Sequence, residues 1–412
     1  MSPPTLEREP SRSELTKPHG RWAALAGATA SQVGLSFLEQ GVPSLVPFLK
    51  EGLQLSNASA GIYGTGINLG RAIAGVFAIG PVNRHNERRT ILVGTCGAGL
   101  FAIAAATAGP APLVLLFLVL CGITQTVAIL ASINAIAEWF RSGSKGIAMG
   151  VRQTAVPVGG VMTAASLPFL ALELGWRPAL LVAGGLAIAT ALVGSAIYRD
   201  YGPGAARSRP RPSVREAVVS VLGESRIRRA ILVGSVLAGC QYVTIAYIQL
   251  FLVEELGTGT GLAAAALIVA QACGIAGRLM WGSISDVFFG GSRRGVLAVM
   301  LGIAAAGSVG MSMVPASAAW LAFPFVAALG LAAVGAPGMF LVQIADLAPR
   351  RYGAATLGVA ISVIQGSTFV MPPIFGLLID ATGAYRTSWA ALAAILVLTV
   401  PIALSIRPRT GS

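Results

Sequence analysis

Residues 112–139 read PLVLLFLVLCGITQTVAILASINAIAEW, with no charged side chain until Glu138 near the end. A helix needs about 20 apolar residues to cross a bilayer core, so this run reads as one crossing. Runs of the same kind fill most of the chain. Of its 412 residues, 55% are hydrophobic and 11% are charged. A soluble domain carries roughly 25% charged residues, and the spacing of the apolar runs leaves no room for one. Working outward in both directions, crossings are expected near 22–49, 57–82, 90–108, 112–139, 145–172 and 178–198. Six more are expected near 229–254, 261–287, 295–314, 318–346, 353–380 and 387–406. The polar N-terminus, with Glu7, Glu9 and Glu14, lacks the apolar core and cleavage site of a signal peptide. The first apolar run is therefore expected to stay in the protein as a spanning helix.

Arginine and lysine fall in alternate loops. Arg84, Arg88 and Arg89 follow the second run, Arg141 and Lys145 the fourth, Arg293 and Arg294 the eighth, and Arg350 and Arg351 the tenth. Arg8, Arg12, Lys17 and Arg21 precede the first run, and Arg407 and Arg409 follow the last. The other loops offer Lys50, Arg177 and Arg386. Short cytoplasmic loops collect positive charge, so both termini are expected in the cytoplasm and the chain in the inner (cytoplasmic) membrane.

The net charge of +13 would suggest nucleic acid in a soluble protein. Here the arginines sit between apolar segments, not on one face, and aromatic residues are sparse, which excludes that class. Cys96, Cys121, Cys240 and Cys273 all lie in apolar runs and read as packing residues. His19 and His85 are the only histidines. No metal site, and no cofactor, is expected. The absence of a Gly-x-x-x-x-Gly-Lys-Ser/Thr loop leaves ATP-driven pumping unsupported.

The expected organisation is a tail (1–21), a six-helix bundle (22–198), a linker (199–228), a second six-helix bundle (229–406) and a short tail (407–412). Prolines and arginines from Pro203 to Arg215 suit a solvated tether, with a short surface helix near 213–222. The halves carry a matching element. Gly70-Arg71-Ala-Ile-Ala-Gly75 lies in the second run of one half, and Gly277-Arg278-Leu-Met-Trp-Gly282 in the second run of the other. Each runs into a basic turn. Parallel repeats about an axis along the membrane normal are a known design of transporters.

These features resemble the major facilitator superfamily, over essentially the whole chain. Its hallmark is a Gly-x-x-x-Asp-Arg-x-Gly-Arg-Arg loop between helices 2 and 3, repeated between helices 8 and 9. The second-half copy is Gly282-Ser-Ile-Ser-Asp286, with Arg293-Arg294 after a longer turn. The first-half copy, Gly80 to Arg89, departs from the pattern: Asn83 or Arg84 stands at the acidic position and Glu87 replaces a glycine. Glu138-Trp139-Phe140, Gly146 to Gln153, Gly175-Trp176-Arg177, Pro372-Pro373-Ile-Phe-Gly376 and Asp380-Ala-Thr-Gly383 are also similar to bacterial members. The resemblance implies an all-α membrane protein of twelve transmembrane helices in two pseudo-symmetric six-helix bundles. It also implies alternating access and a gating role for the charged loops: Asp286, Arg293, Arg294, Arg84 and Arg88. Drug-antiporter branches carry Gly-Pro-x-x-Gly-Gly in helix 5; Val156-Pro157-Val158-Gly159-Gly160 departs from it. The helix 8 arginine resembles that of monocarboxylate and oxalate/formate-type carriers, where it binds the substrate carboxylate.

Charge within the bilayer is costly, about 2.5–3.5 kcal/mol per residue at a helix centre on insertion scales, and usually faces a cavity or a partner. Arg71 and Arg278 lie on the order of 12–13 Å up their helices from the loop motifs by helical rise, which places them near mid-membrane. A guanidinium matches a carboxylate with two parallel hydrogen bonds. Both are candidate substrate contacts, against the alternative that they pair with backbone carbonyls or a helix-packing carboxylate. Arg152 sits nearer the cytoplasmic end of helix 5, where gate packing is expected. Glu39 is the only carboxylate well inside helix 1. Burial and a neighbouring arginine act on such a group in opposite directions, which makes it the candidate proton carrier; a fixed ion pair is the alternative. Asn68, Gln125, Tyr242, Tyr247 and Gln365 complete the candidate substrate site, each with a helix–helix hydrogen bond as its alternative.

The expected function is a monomeric secondary transporter of a small organic anion, a monocarboxylate first, with proton symport. An exporter of drugs or amphipathic metabolites and a nitrate-type inorganic anion carrier are the alternatives. The partners are the small anion, protons and the lipid bilayer.

Overall fold

A computed structural model describes residues 18–77, 87–140, 145–198, 223–348 and 353–406, with Val218, Val219 and Val221. Among the described residues there is helix and no strand, in twelve crossing segments. Helix α1 comprises Pro18–Ser44 and Val46–Gly52; α2 comprises Asn57–Gly64 and Gly66–Phe77. Then follow α3 (Glu87–Thr107), α4 (Ala111–Trp139), α5 (Lys145–Leu174) and α6 (Trp176–Ile197). The second half has α7 (Ser225–Leu250, extended by a π turn over Phe251–Glu255), α8 (Thr260–Phe288) and α9 (Arg293–Met313). It continues with α10, built from Ala316–Leu321, Ala322–Leu329, a π turn over Gly330–Val334 and Pro337–Leu347. Helices α11 (Gly353–Thr382) and α12 (Tyr385–Leu404) complete it. Of the expected linker helix, Val218, Val219 and Val221 are helical; its remainder, residues 1–17 and 407–412, and Arg84 lie outside the described residues, while residues 18–21 of the expected N-terminal tail already belong to α1.

Ten of the twelve segments are long and apolar enough to cross a bilayer. The exceptions are informative. Helix α2 is divided at Thr65, whose hydroxyl donates to the Gly61 carbonyl. Helix α1 is long enough but carries Ser31, Gln32, Ser36, Glu39 and Gln40, all buried. Recurring at three- and four-residue intervals, they form a polar stripe turned to the protein interior.

The arginine repeat has a packing cause. Gly70 faces the Val119 carbonyl of α4 and Gly122 faces the Ile67 carbonyl of α2, so close that an added Cβ would lie 2.0 and 1.9 Å from those oxygens. The second half does the same: Gly277 of α8 meets the Leu331 carbonyl and Gly330 of α10 the Ala270 carbonyl, at 2.4 and 2.3 Å. Small residues let helix backbones touch in lipid. In each half the glycine before the arginine thus backs its helix against the next one but one in sequence. Valine at Gly122 is expected to lower stability by about 3 kcal/mol or more, since backbone must move to admit it. Loss of a monodisperse gel-filtration peak in detergent is the readout.

Candidate functional site

The halves meet inside the helical bundle on four polar side chains. Glu39 on α1 accepts hydrogen bonds at Oε1 from Arg71 Nη1 of α2 and from the Tyr242 hydroxyl of α7. With the Gln365 amide of α11 turned so that its oxygen faces Arg71, that oxygen accepts from Nη2 at 2.7 Å, Nε at 3.0 Å and Nη1 at 3.1 Å; this amide orientation is assigned from the hydrogen bonding. Glu39 and Arg71 belong to the first half, Tyr242 and Gln365 to the second. One ion pair therefore holds both halves. Glu39 is 7% exposed and the Arg71 side chain 16%. Asn68, one turn before Arg71, is buried within reach of Tyr242, and its carbonyl oxygen has no partner among the described residues.

Arg278 stands differently. Its Nε donates to the Val334 carbonyl at 3.1 Å, and Trp281 Nε1, three residues on, donates to the Leu331 carbonyl at 2.8 Å. A π turn breaks the regular helical ladder, and these two donors from α8 satisfy carbonyls within it. Among the described residues the two terminal nitrogens of Arg278 donate to no protein atom, and no carboxylate pairs with it. It lies close enough to Tyr242 and Glu39 to interact with both electrostatically. Of the alternatives open for the two arginines, Arg71 has the carboxylate and Arg278 a backbone carbonyl.

Arg152 is 2% exposed. It donates to Gln32 Oε1 at 2.6 Å, Ser132 Oγ at 2.9 Å and Gln153 Oε1 at 3.3 Å. All are neutral and all belong to the first half, so these contacts join α5 to α1 and α4. Gln125 donates to the Leu35 carbonyl at 2.9 Å, joining α4 to α1; its own carbonyl oxygen is unpartnered.

Tyr247 lies one turn beyond Tyr242, outside the central cluster. It belongs to a seal on the face opposite the arginine-rich loops. The Tyr247 hydroxyl donates to the Asn57 carbonyl at 2.7 Å. The Asp380 carboxylate at the end of α11 accepts from Asn57 N at 3.0 Å, Asn57 Nδ2 at 2.7 Å and Ala58 N at 2.8 Å. It thereby caps the N-terminus of α2 from the other half, where the helix dipole favours negative charge. Lys50 pairs with Glu254 at 2.8 Å and donates to Asn57 Oδ1 at 2.8 Å, and Tyr385 donates to Glu254 at 2.6 Å. Gly61 and Gly376 permit this closeness: a Cβ on either would fall within 2.5 Å of the Tyr247 hydroxyl. Alanine at Asp380 removes a cap worth about 1 kcal/mol, hence a roughly fivefold shift toward opening of this face. A cysteine placed at Thr65, beneath the seal, in a background without the native cysteines, is expected to react correspondingly faster with an impermeant maleimide.

On the basic face, Arg293 of α9 donates to Asp286 Oδ1 at 2.8 Å and Ser285 Oγ at 2.7 Å, and its Nε lies 3.9 Å from Asp346. These contacts knit α8, α9 and α10 within the second half. Arg294 follows in the first turn of α9. Arg88 Nε donates to the Ser195 carbonyl at 2.8 Å, tying α3 to α6.

The seal, the π-turn clamp and the partners of Arg152 were not foreseen. Asn57 and Asp380 are 323 residues apart, and nothing local joins them. The one available signal was the Pro-Pro-x-Phe-Gly-x-x-x-Asp spacing of α11, which supplies both Gly376 and Asp380.

Known proteins agree on the class. A family model described as Major Facilitator Superfamily matches residues 28–368. An uncharacterised MFS-type transporter of Mycobacterium tuberculosis is 28% identical over 93% of this chain and 84% of its own length. Among solved structures, a bacterial homologue of the human lysosomal transporter Spinster, inward-facing and occupied, superposes with a TM-score of 0.76 at 18% identity, covering 96% of this chain and 100% of that one. The nucleoside transporter NupG gives 0.76 at 11% identity (93% and 99% covered) and a D-xylose–proton symporter 0.73 at 15% (94% and 97% covered). Twelve helices in two halves, a polar cluster between them and a family match across most of the chain lead to one assignment: the chain belongs to the major facilitator superfamily, a family of membrane carriers and not of enzymes.

Proposed function

We propose that this carrier moves a small organic anion together with a proton, by alternating access, across the cytoplasmic membrane, with the arginine-rich face and both termini in the cytoplasm. The observation that carries this reading is the charge at the centre. Among the described residues, three guanidiniums (Arg71, Arg152 and Arg278) and one carboxylate (Glu39) lie away from the helix ends. An excess of positive charge in low dielectric favours an anion and disfavours a cationic drug.

The cluster couples the two ligands in a definite way. With Glu39 ionised, Arg71 is neutralised and both halves are tied through Tyr242 and Gln365. A proton on Glu39 dissolves the ion pair and releases the Arg71 charge. An arriving carboxylate then finds Arg71 and the open fork of Arg278 together. Proton and anion each favour binding of the other, and by linkage the coupling is reciprocal. Departure of the proton restores the Glu39–Arg71 pair and expels the anion. That one neighbour of the same fold is a proton symporter supports a proton as the coupling ion.

Uptake by purified protein in liposomes tests this reading, using labelled monocarboxylates, dicarboxylates and nitrate with and without an inward proton gradient. Gradient-stimulated uptake of an organic anion is expected. Active protein that moves only neutral or cationic compounds would overturn the proposal.

A further inference from the structure

We infer that the substrate is a dianion, a dicarboxylate whose second carboxylate is met by Arg152. The inference rests on the anion-carrier reading above and narrows it.

Arg152 is a fully buried guanidinium held by two amide oxygens and a hydroxyl, with no carboxylate partner among the described residues. A guanidinium has five N–H donors, and three acceptors do not saturate it. Buried charge is ordinarily paired, and lipid-embedded arginines mark pathways for ligands. Its place is specific. Gln32, its 2.6 Å partner, lies seven residues before Glu39 on α1, two helical turns along one face. By helical rise that is on the order of 10 Å. Gln32 in turn donates to Ser36 at 3.0 Å, one turn before Glu39 on the same buried polar stripe of α1. Ser132, its partner on α4, lies seven residues after Gln125, on the same face of that helix.

Charge balance points the same way. Arg71 and Arg152 are near enough to interact electrostatically, and one carboxylate serves three guanidiniums. With Glu39 protonated, a monoanion leaves two positive charges uncompensated and a dianion leaves one. Two carboxylates at the ends of a short carbon chain fit two cationic positions joined by a polar stripe: one at Arg71 and Arg278, the other at Arg152.

Equilibrium binding to the purified full chain in nanodiscs tests this, with α,ω-dicarboxylates of increasing length compared with monocarboxylates of equal length. The best dicarboxylate is expected to bind on the order of 10- to 100-fold more tightly than its monocarboxylate counterpart, the range for one added charge-assisted contact. In R152Q that preference disappears, and in R152K, which keeps the charge without the fork, part of it returns. Equal or tighter binding of monocarboxylates by the wild-type protein overturns the dianion inference and leaves the anion carrier standing. Absence of binding by either series overturns the organic-anion reading on which the inference rests. The wild-type ranking decides whether the substrate is a dianion even where R152Q is not recovered monodisperse, and R152K then reads the part played by Arg152.

Discussion

Glutamine at position 39 is expected to stop proton-driven accumulation while one-for-one exchange of internal and external anion continues. Glutamine keeps the size of the side chain and an acceptor for Arg71 and Tyr242, but it cannot carry a proton. Exchange needs no net proton movement, so only the coupled mode depends on the carboxylate. In liposomes with an inward proton gradient, Glu39→Gln is expected to fill only to the level reached without the gradient. Its exchange rate should no longer vary with pH where the wild-type rate does. Removing one partner of a buried ion pair costs about 3–5 kcal/mol when nothing replaces it. The Gln365 oxygen remains on Arg71, so the glutamine variant should lose less than that, and Glu39→Ala should be the less stable of the two. Gradient-driven accumulation in Glu39→Gln equal to wild type would remove Glu39 from the coupling.

Alanine at position 278 is expected to weaken anion binding on the order of 10- to 100-fold, the equivalent of losing a charge-assisted hydrogen-bonded pair. The same substitution frees the Val334 carbonyl in the π turn of α10, so a structural cause must be separated from a binding one. Trp281→Phe makes the separation, because it releases the other clamped carbonyl, Leu331, and leaves Arg278 in place. Near-normal anion binding in Trp281→Phe with loss in Arg278→Ala assigns the effect to the guanidinium. Equal loss in both variants would assign it to the π turn, and Arg278 would then be a packing residue.

The fold was readable because its cause is written in bulk composition. Apolar runs of bilayer length recur along the chain, with arginine in alternate loops, and the Gly-Arg repeat marks the two halves. The structure adds why glycine precedes each arginine: Gly70 and Gly277 bring backbone against backbone between alternate helices. The site was readable only as a set of residue types. That Glu39, Arg71, Tyr242 and Gln365 form one cluster depends on four helices from both halves, and no spacing within the chain encodes it. Tyr247 shows the limit. It shares a helix and a residue type with Tyr242, yet five residues of helical rise carry it to the far-face seal. Arg278 shows another, because its carbonyl partner exists only where α10 departs from regular helix, a departure with no pattern of apolar residues behind it.

Proton and anion are expected to travel together through the Glu39–Arg71 pair. The most direct measurement is the internal pH of liposomes containing the purified protein and a trapped pH dye, followed after an anion identified by uptake is added outside at equal starting pH. The expected result is internal acidification on addition of the anion to wild-type protein and none with Glu39→Gln. Anion entry into wild-type vesicles without acidification, or acidification that persists in Glu39→Gln, would contradict it.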